Sequence, residues 1–147
     1  MLRVIFACVH NAGRSQMAAA FFNQLADPSK AEGISAGTEP GLRVHAEVLL
    51  VMKEVGIDLS NAKPQKLTQE LANGAALLIT MGCGDKCPYV PGLRRDDWPL
   101  RDPKGLATDE VRHVRDEVKR RVQSLIEAEG VEGLSKDYST KVPRILR

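Results

Sequence analysis

The chain has 147 residues, 43% hydrophobic and 27% charged, with a formal net charge of +2 and 4% aromatic residues. That length suits one domain with one core, and no apolar run approaches the ~18 residues of a membrane span. The mild charge and scarce aromatics argue against nucleic acid, which asks for a basic stripe with stacking rings. Three cysteines, an odd number, do not make a static disulfide framework and suit catalytic or redox use. Met1-Leu2-Arg3 runs straight into the first predicted strand, so cleaving a leader there would destroy that strand; a cytoplasmic monomer is expected.

The apolar, β-prone run from Leu2 to Ala7 feeds Cys8, small or turn-tolerant residues come next, and Arg14-Ser15 opens a helical pattern. Strand, tight loop and helix start thus coincide on a Cys-x5-Arg spacing. In such a loop the backbone N–H groups of Val9, His10, Asn11, Ala12, Gly13 and Arg14 turn inward, and with Ser15 and the positive end of the helix they form an anion cradle. Arg14 adds a planar fork able to donate two parallel hydrogen bonds to a tetrahedral oxyanion. Cys8 would lie beneath the bound anion, in surroundings that favour a thiolate nucleophile. Taken singly, Asn11 and Gly13 suit an ordinary turn, Ser15 a plain N-cap and Cys8 a buried small hydrophobe. It is their coincidence that favours catalysis.

Farther along, Met17, Ala20, Phe21, Gln24 and Leu25 keep helical spacing up to Asp27-Pro28, and residues 33–37 read as a short strand bounded by glycines. Val44, Val48, Val51, Met52 and Val55 predict a second amphipathic helix closed by Gly56, with His45 structural or solvent-facing. Residues 57–66 read as a loop and 67–71 as a short helix. The unbroken apolar run 75–81 predicts a strand covered on both faces, with Gly82-Cys83-Gly84-Asp85-Lys86-Cys87-Pro88 leaving its carboxyl end. Residues 89–104, rich in proline and holding the only Trp, Trp98, read as irregular. From Thr108, taken as an N-cap, a long helix buries Val111, Val114, Val118, Val122, Leu125 and Ile126 until Gly130. Lys119-Arg120-Arg121 reads as its solvated face. Strands alternating with helices imply an α/β fold with a parallel sheet between helices. Residues 1–130 are expected to form the single domain and 131–147 a partly ordered tail.

The run Cys8-Val9-His10-Asn11-Ala12-Gly13-Arg14-Ser15-Gln16-Met17-Ala18 resembles the active-site loop of the low-molecular-weight protein tyrosine phosphatase fold. It is closer still to the thioredoxin-coupled arsenate reductases built on that fold, with Asn-x-x-Arg-Ser-Gln-Met-Ala its most specific part. The resemblance covers about residues 2–128. It implies a three-layer sandwich with a central, mainly parallel four-stranded sheet and helices on both faces, and an enzyme of arsenical resistance that needs no metal or cofactor. Asp102, in Asp102-Pro103, matches the family's general acid; taken alone, Asp-Pro is also a common turn initiator.

Cys83 and Cys87 separate reductase from phosphatase. A phosphatase needs only Cys8, whereas a reductase needs further thiols to carry two electrons outward by thiol–disulfide exchange. On that reading Cys8 attacks arsenate, with phosphate or sulfate competing, Cys83 attacks Cys8, and Cys87 passes the oxidation to thioredoxin or a low-molecular-weight thiol. The alternative is a phosphatase acting on phosphotyrosine or small phosphate esters. A zinc site built from the two cysteines with His10, His45 or His113 is disfavoured, because Cys-x3-Cys lacks a second regular ligand pair. Three departures stand out: Ala19 where potassium-binding members carry Glu, a tighter cysteine pair, and Lys104-Gly105 where phosphatases place tyrosines.

Overall fold

A computed structural model describes residues 1–82 and 90–133. Four strands, β1 (Leu2–Cys8), β2 (Ala31–Gly37), β3 (Leu77–Thr80) and β4 (Arg94–Asp97), form one sheet in the order β2-β1-β3-β4. All three pairings are parallel. Central position explains the composition of β1, whose residues from Val4 onward are buried because both pleat faces are covered. One face takes Val4, Phe6, Leu77 and Ile79 into a large core with α1 (Arg14–Leu25), α2 (Ala46–Glu54) and α4 (Thr108–Glu129). Phe6 anchors it, with ring centroids 5.6 Å from Phe22 and 5.8 Å from Trp98. The opposite face buries Ile5, Ala7, Ala36, Leu67 and Leu78 in a smaller cluster on which Leu71 of α3 (Gln69–Asn73) packs. The three-layer α/β sandwich is therefore present, with its layers unequal.

Register decides where function can sit. Cys8 pairs with Gly37, Ala7 with Thr80, and Thr80 with Asp97, so all four strands end at one edge of the sheet. The segments after β1, β2, β3 and β4 leave from that edge, as open parallel sheets require.

Two expectations are corrected. Residues 94–97, read as irregular, form β4; Arg94-Arg95-Asp96-Asp97 is exposed throughout and paired through backbone to β3 alone, so no hydrophobic alternation marks it. Thr108 is the first helical residue rather than the cap; Ala107 caps α4 without a side-chain bond, while Asp109 and Glu110 supply the negative charge of its first turn. The stops at Gly56 and Gly130 fall where the glycines adopt positive φ. Beyond α4, the Asp27 N–H donates to Val131 O and the Gly133 N–H to Leu25 O, both at 2.8 Å, tying residues 131–133 to the end of α1.

α2 and α4 are joined by ion pairs around Glu54. Arg112 donates to its carboxylate from Nε and Nη2, and the nine-tenths-buried Arg115 donates from Nη1 to Glu54 Oε1 and to Val51 O. The hydrogen bonds from Arg112, opposed by partial desolvation and aided by Arg115, hold the Glu54 carboxyl down at about 2. No helix among the described residues is long and apolar enough to cross a membrane.

Candidate active site

Cys8 is the last residue of β1 and is buried; α1 begins at Arg14, so the loop between them has five residues. The carbonyls of residues 8–12 are all engaged. Thr38 N–H donates to Cys8 O at 3.3 Å, Glu39 N–H to Val9 O at 2.8 Å, Gly41 N–H to His10 O at 2.9 Å and His45 N–H to Ala12 O at 3.0 Å. Gln16 Nε2 donates to Asn11 O at 3.1 Å. Among the described residues there are no cis peptide bonds, and a planar trans peptide points each N–H opposite the preceding carbonyl. Outward carbonyls of residues 8–12 therefore turn the N–H groups of residues 9–13 inward, the geometry of an anion nest. Gly13 caps α1 without a side-chain bond and no acidic residue sits in the first turn, so the helix's positive end also faces the nest.

Behind the loop lies a buried polar chain. Asn11 adopts φ 51°, a left-handed conformation that Asn tolerates better than most residues. Its Oδ1 accepts from the Gln65 N–H at 2.9 Å and from Gln16 Nε2 at 3.2 Å, and its Nδ2 donates to Ser15 Oγ at 2.7 Å. Ser15 Oγ is in turn 2.9 Å from Cys8 Sγ. On the exposed lip, His10 Nδ1 meets Glu39 O at 3.0 Å, clamping the loop to the turn after β2.

The loop after β4 closes the other side. Arg14 Nη1 donates to Leu100 O at 3.1 Å, and Nη2 stands 3.8 Å from Asp102 Oδ2. Asp102 is half exposed, and its Oδ1 accepts from the Lys104 N–H at 3.0 Å in an Asx turn. Among the described residues, Arg14 Nε and Thr38 Oγ1 are buried without a hydrogen-bond partner. The Arg14 guanidinium is thus aimed by a carbonyl and keeps donor capacity for an oxyanion.

Sequence reasoning gave Gln65 and the turn at residues 38–41 no part in the site, because they act through backbone groups or across long separations that no local pattern signals. Cys83 and Cys87 lie outside the described residues. Where some proteins of the resembling group carry a potassium-binding Glu, this chain has Ala19. The cleft beside Ala19 is lined by Gln16, Asn23, Ser35 and Gln65 without a carboxylate among the described residues, and both acceptor positions of Asn11 Oδ1 are engaged.

The family model for low molecular weight phosphotyrosine protein phosphatases matches residues 3–139. The chain belongs to that family. Within it, the chain is 38% identical to an arsenate reductase from Bacillus subtilis, over 84% of this chain and 94% of that one. It is 37% identical to a glutaredoxin arsenate reductase from Synechocystis, over 86% and 97% of the respective chains. Among solved structures, the thioredoxin-dependent arsenate reductase of Corynebacterium glutamicum superposes with a TM-score of 0.76 at 38% identity, covering 87% of this chain and 61% of that longer one.

Proposed function

We propose that the protein is an arsenate reductase in which Cys8 is the nucleophile. The observation that carries this is the convergence of three parts on one sheet edge: a thiol at the base of an inward-facing N–H nest, the Arg14 fork, and the Asp102 carboxyl on the loop opposite. Held by the N–H groups of residues 9–13 and by Arg14, arsenate presents its arsenic to Cys8 Sγ. The thiolate attacks arsenic and one oxygen leaves as water, taking its proton from Asp102; a positioned carboxylic acid supplies about 10²–10⁴-fold in such a step. The same geometry serves phosphate esters, so the choice of reaction rests on the thiols and on relatives named arsenate reductases.

In the reducing half, the Cys83 thiolate attacks Cys8 Sγ. The sulfur–arsenic bond breaks, its electron pair stays on arsenic, and arsenite departs from a Cys8–Cys83 disulfide. Cys87 then attacks Cys83, freeing Cys8 and leaving a Cys83–Cys87 disulfide that an external dithiol reduces. The relatives' names support a thiol reductant of the thioredoxin or glutaredoxin kind. The deciding assay follows arsenate-dependent NADPH oxidation with thioredoxin and thioredoxin reductase, then with glutaredoxin and glutathione, alongside arsenite quantification. Turnover with one system, abolished in Cys8→Ser, is expected; phosphate ester hydrolysis without arsenite formation would favour the phosphatase.

A further inference from the structure

Gln16 takes no part in the steps above, yet it is nine-tenths buried at the start of a helix whose other inward positions are mostly apolar: Met17, Ala18, Phe21, Phe22 and Leu25. Its Nε2 donates to both oxygens of one residue, Asn11 O at 3.1 Å and Asn11 Oδ1 at 3.2 Å. That double grip couples the left-handed backbone of Asn11 to the rotamer of its side chain. The Gln65 N–H, a backbone donor 2.9 Å from the same Oδ1, fixes which way the Asn11 amide faces, so Nδ2 must point to Ser15. Receiving that donor on one lone pair, Ser15 Oγ lies 2.9 Å from Cys8 Sγ. A thiolate only accepts hydrogen bonds, so the Ser15 hydroxyl hydrogen is then the one that points at sulfur.

We propose that Gln16 is a positioning residue for the nucleophile, holding Asn11 so that Ser15 donates to the Cys8 thiolate. Its consequence for catalysis rests on the arsenate reductase reading; its effect on the thiol does not. The bland alternative is that Gln16 merely fills space. Gln16→Met separates the two, because methionine keeps the length and burial and removes the donor.

The readout is iodoacetamide alkylation of Cys8 across a pH series, in a Cys83→Ser/Cys87→Ser background where Cys8 is the one remaining cysteine. Gln16→Met is expected to slow alkylation at neutral pH about fivefold, the worth of a typical buried hydrogen bond, with recovery as pH rises. Asn11→Gly keeps the left-handed backbone accessible and deletes the relay. If Gln16 acts through Asn11, the two substitutions together cost less than the product of their separate effects. A wild-type alkylation profile in Gln16→Met, or full multiplication of the two effects, overturns the proposal. Should the methionine variant fold poorly, Gln16→Glu, of the same shape with the donor exchanged for an acceptor, is read on the same two criteria. Alkylation uses neither arsenate nor reductant, so failure here and absence of reductase turnover are separate results.

Discussion

A methyl group placed on Gly13 would stand 2.8 Å from Cγ of Pro103. The anion loop and the loop carrying Asp102 therefore rest against each other at a point with no room for a side chain, one residue from Arg14 and one from Asp102. Since Pro103 is a rigid ring, Gly13→Ala is accommodated by moving its loop outward. The expected result is a kcat reduced about tenfold, a fraction of the ~10²–10⁴-fold that a positioned acid supplies. Cys8 alkylation should change far less than kcat. Equal losses in both would place the effect in the nest itself.

Arg14 is divided among three tasks: Nη1 is spent on Leu100 O, Nη2 faces Asp102, and Nε is buried and unpartnered among the described residues. Lysine cannot divide its charge this way, for its ammonium is a point with no fork. Arg14→Lys is expected to lower kcat/KM for arsenate about 10- to 100-fold, the scale of one or two charge-assisted hydrogen bonds. Steady-state kinetics and competition by phosphate check it; unchanged kinetics would make Arg14 a purely structural residue.

Much of this site is legible in the sequence because independent signals agree there. An apolar run, a Cys-x5-Arg spacing and a helical onset locate β1, the nest and α1 together, and tertiary packing then reinforces what each local preference already favours. The fourth strand carries no such signal. Arg94-Arg95-Asp96-Asp97 buries no side chain and is held by backbone pairing at a sheet edge, with side-chain bonds from Thr80 to Asp97 and from Arg94 to Glu129. Gln65 is equally silent, since what it gives Asn11, 54 positions away in sequence, is a main-chain N–H that any residue but proline possesses. Asp102 shows that two readings of one dipeptide can both apply: its Oδ1 makes the turn bond to Lys104 while its Oδ2 faces Arg14.

The pairing of α2 with α4 should give stability an acid-sensitive part. Glu54 has an ordinary value of 4.5 and is held at about 2 in the fold, chiefly by hydrogen bonds from Arg112. A depressed carboxyl contributes stability that is fully present above its unfolded value and is lost as pH falls through its folded value. Glu54→Gln should therefore be less stable than wild type at neutral pH, and the gap should narrow between about pH 4.5 and 2. Urea denaturation at several pH values measures it. A gap independent of pH would mean that the substitution acts through packing alone.

The order of the thiol relay is the most exacting prediction. Gly82 has φ 93°, and a Cβ built on it would lie 3.0 Å from Arg14 Nη1, so the chain passes directly against the guanidinium one residue before Cys83. Cys83 follows Gly82 directly in the sequence, whereas Cys87 is four residues farther along. Loop closure favours the nearer thiol as the group that attacks Cys8. Cys87→Ser is accordingly expected to release one equivalent of arsenite in a single turnover, trap a Cys8–Cys83 disulfide and fail to cycle with the reductant. Cys83→Ser should stop before arsenite release. Mass spectrometry of the quenched single-turnover products reads both outcomes. A Cys8–Cys87 disulfide with arsenite release from Cys83→Ser, and no Cys8–Cys83 bond in Cys87→Ser, would reverse the order. Gly82→Ala supplies an independent check. Its side chain meets both an unfavourable φ and the Arg14 guanidinium, so it should slow arsenite release in the single turnover at least as much as it slows Cys8 alkylation.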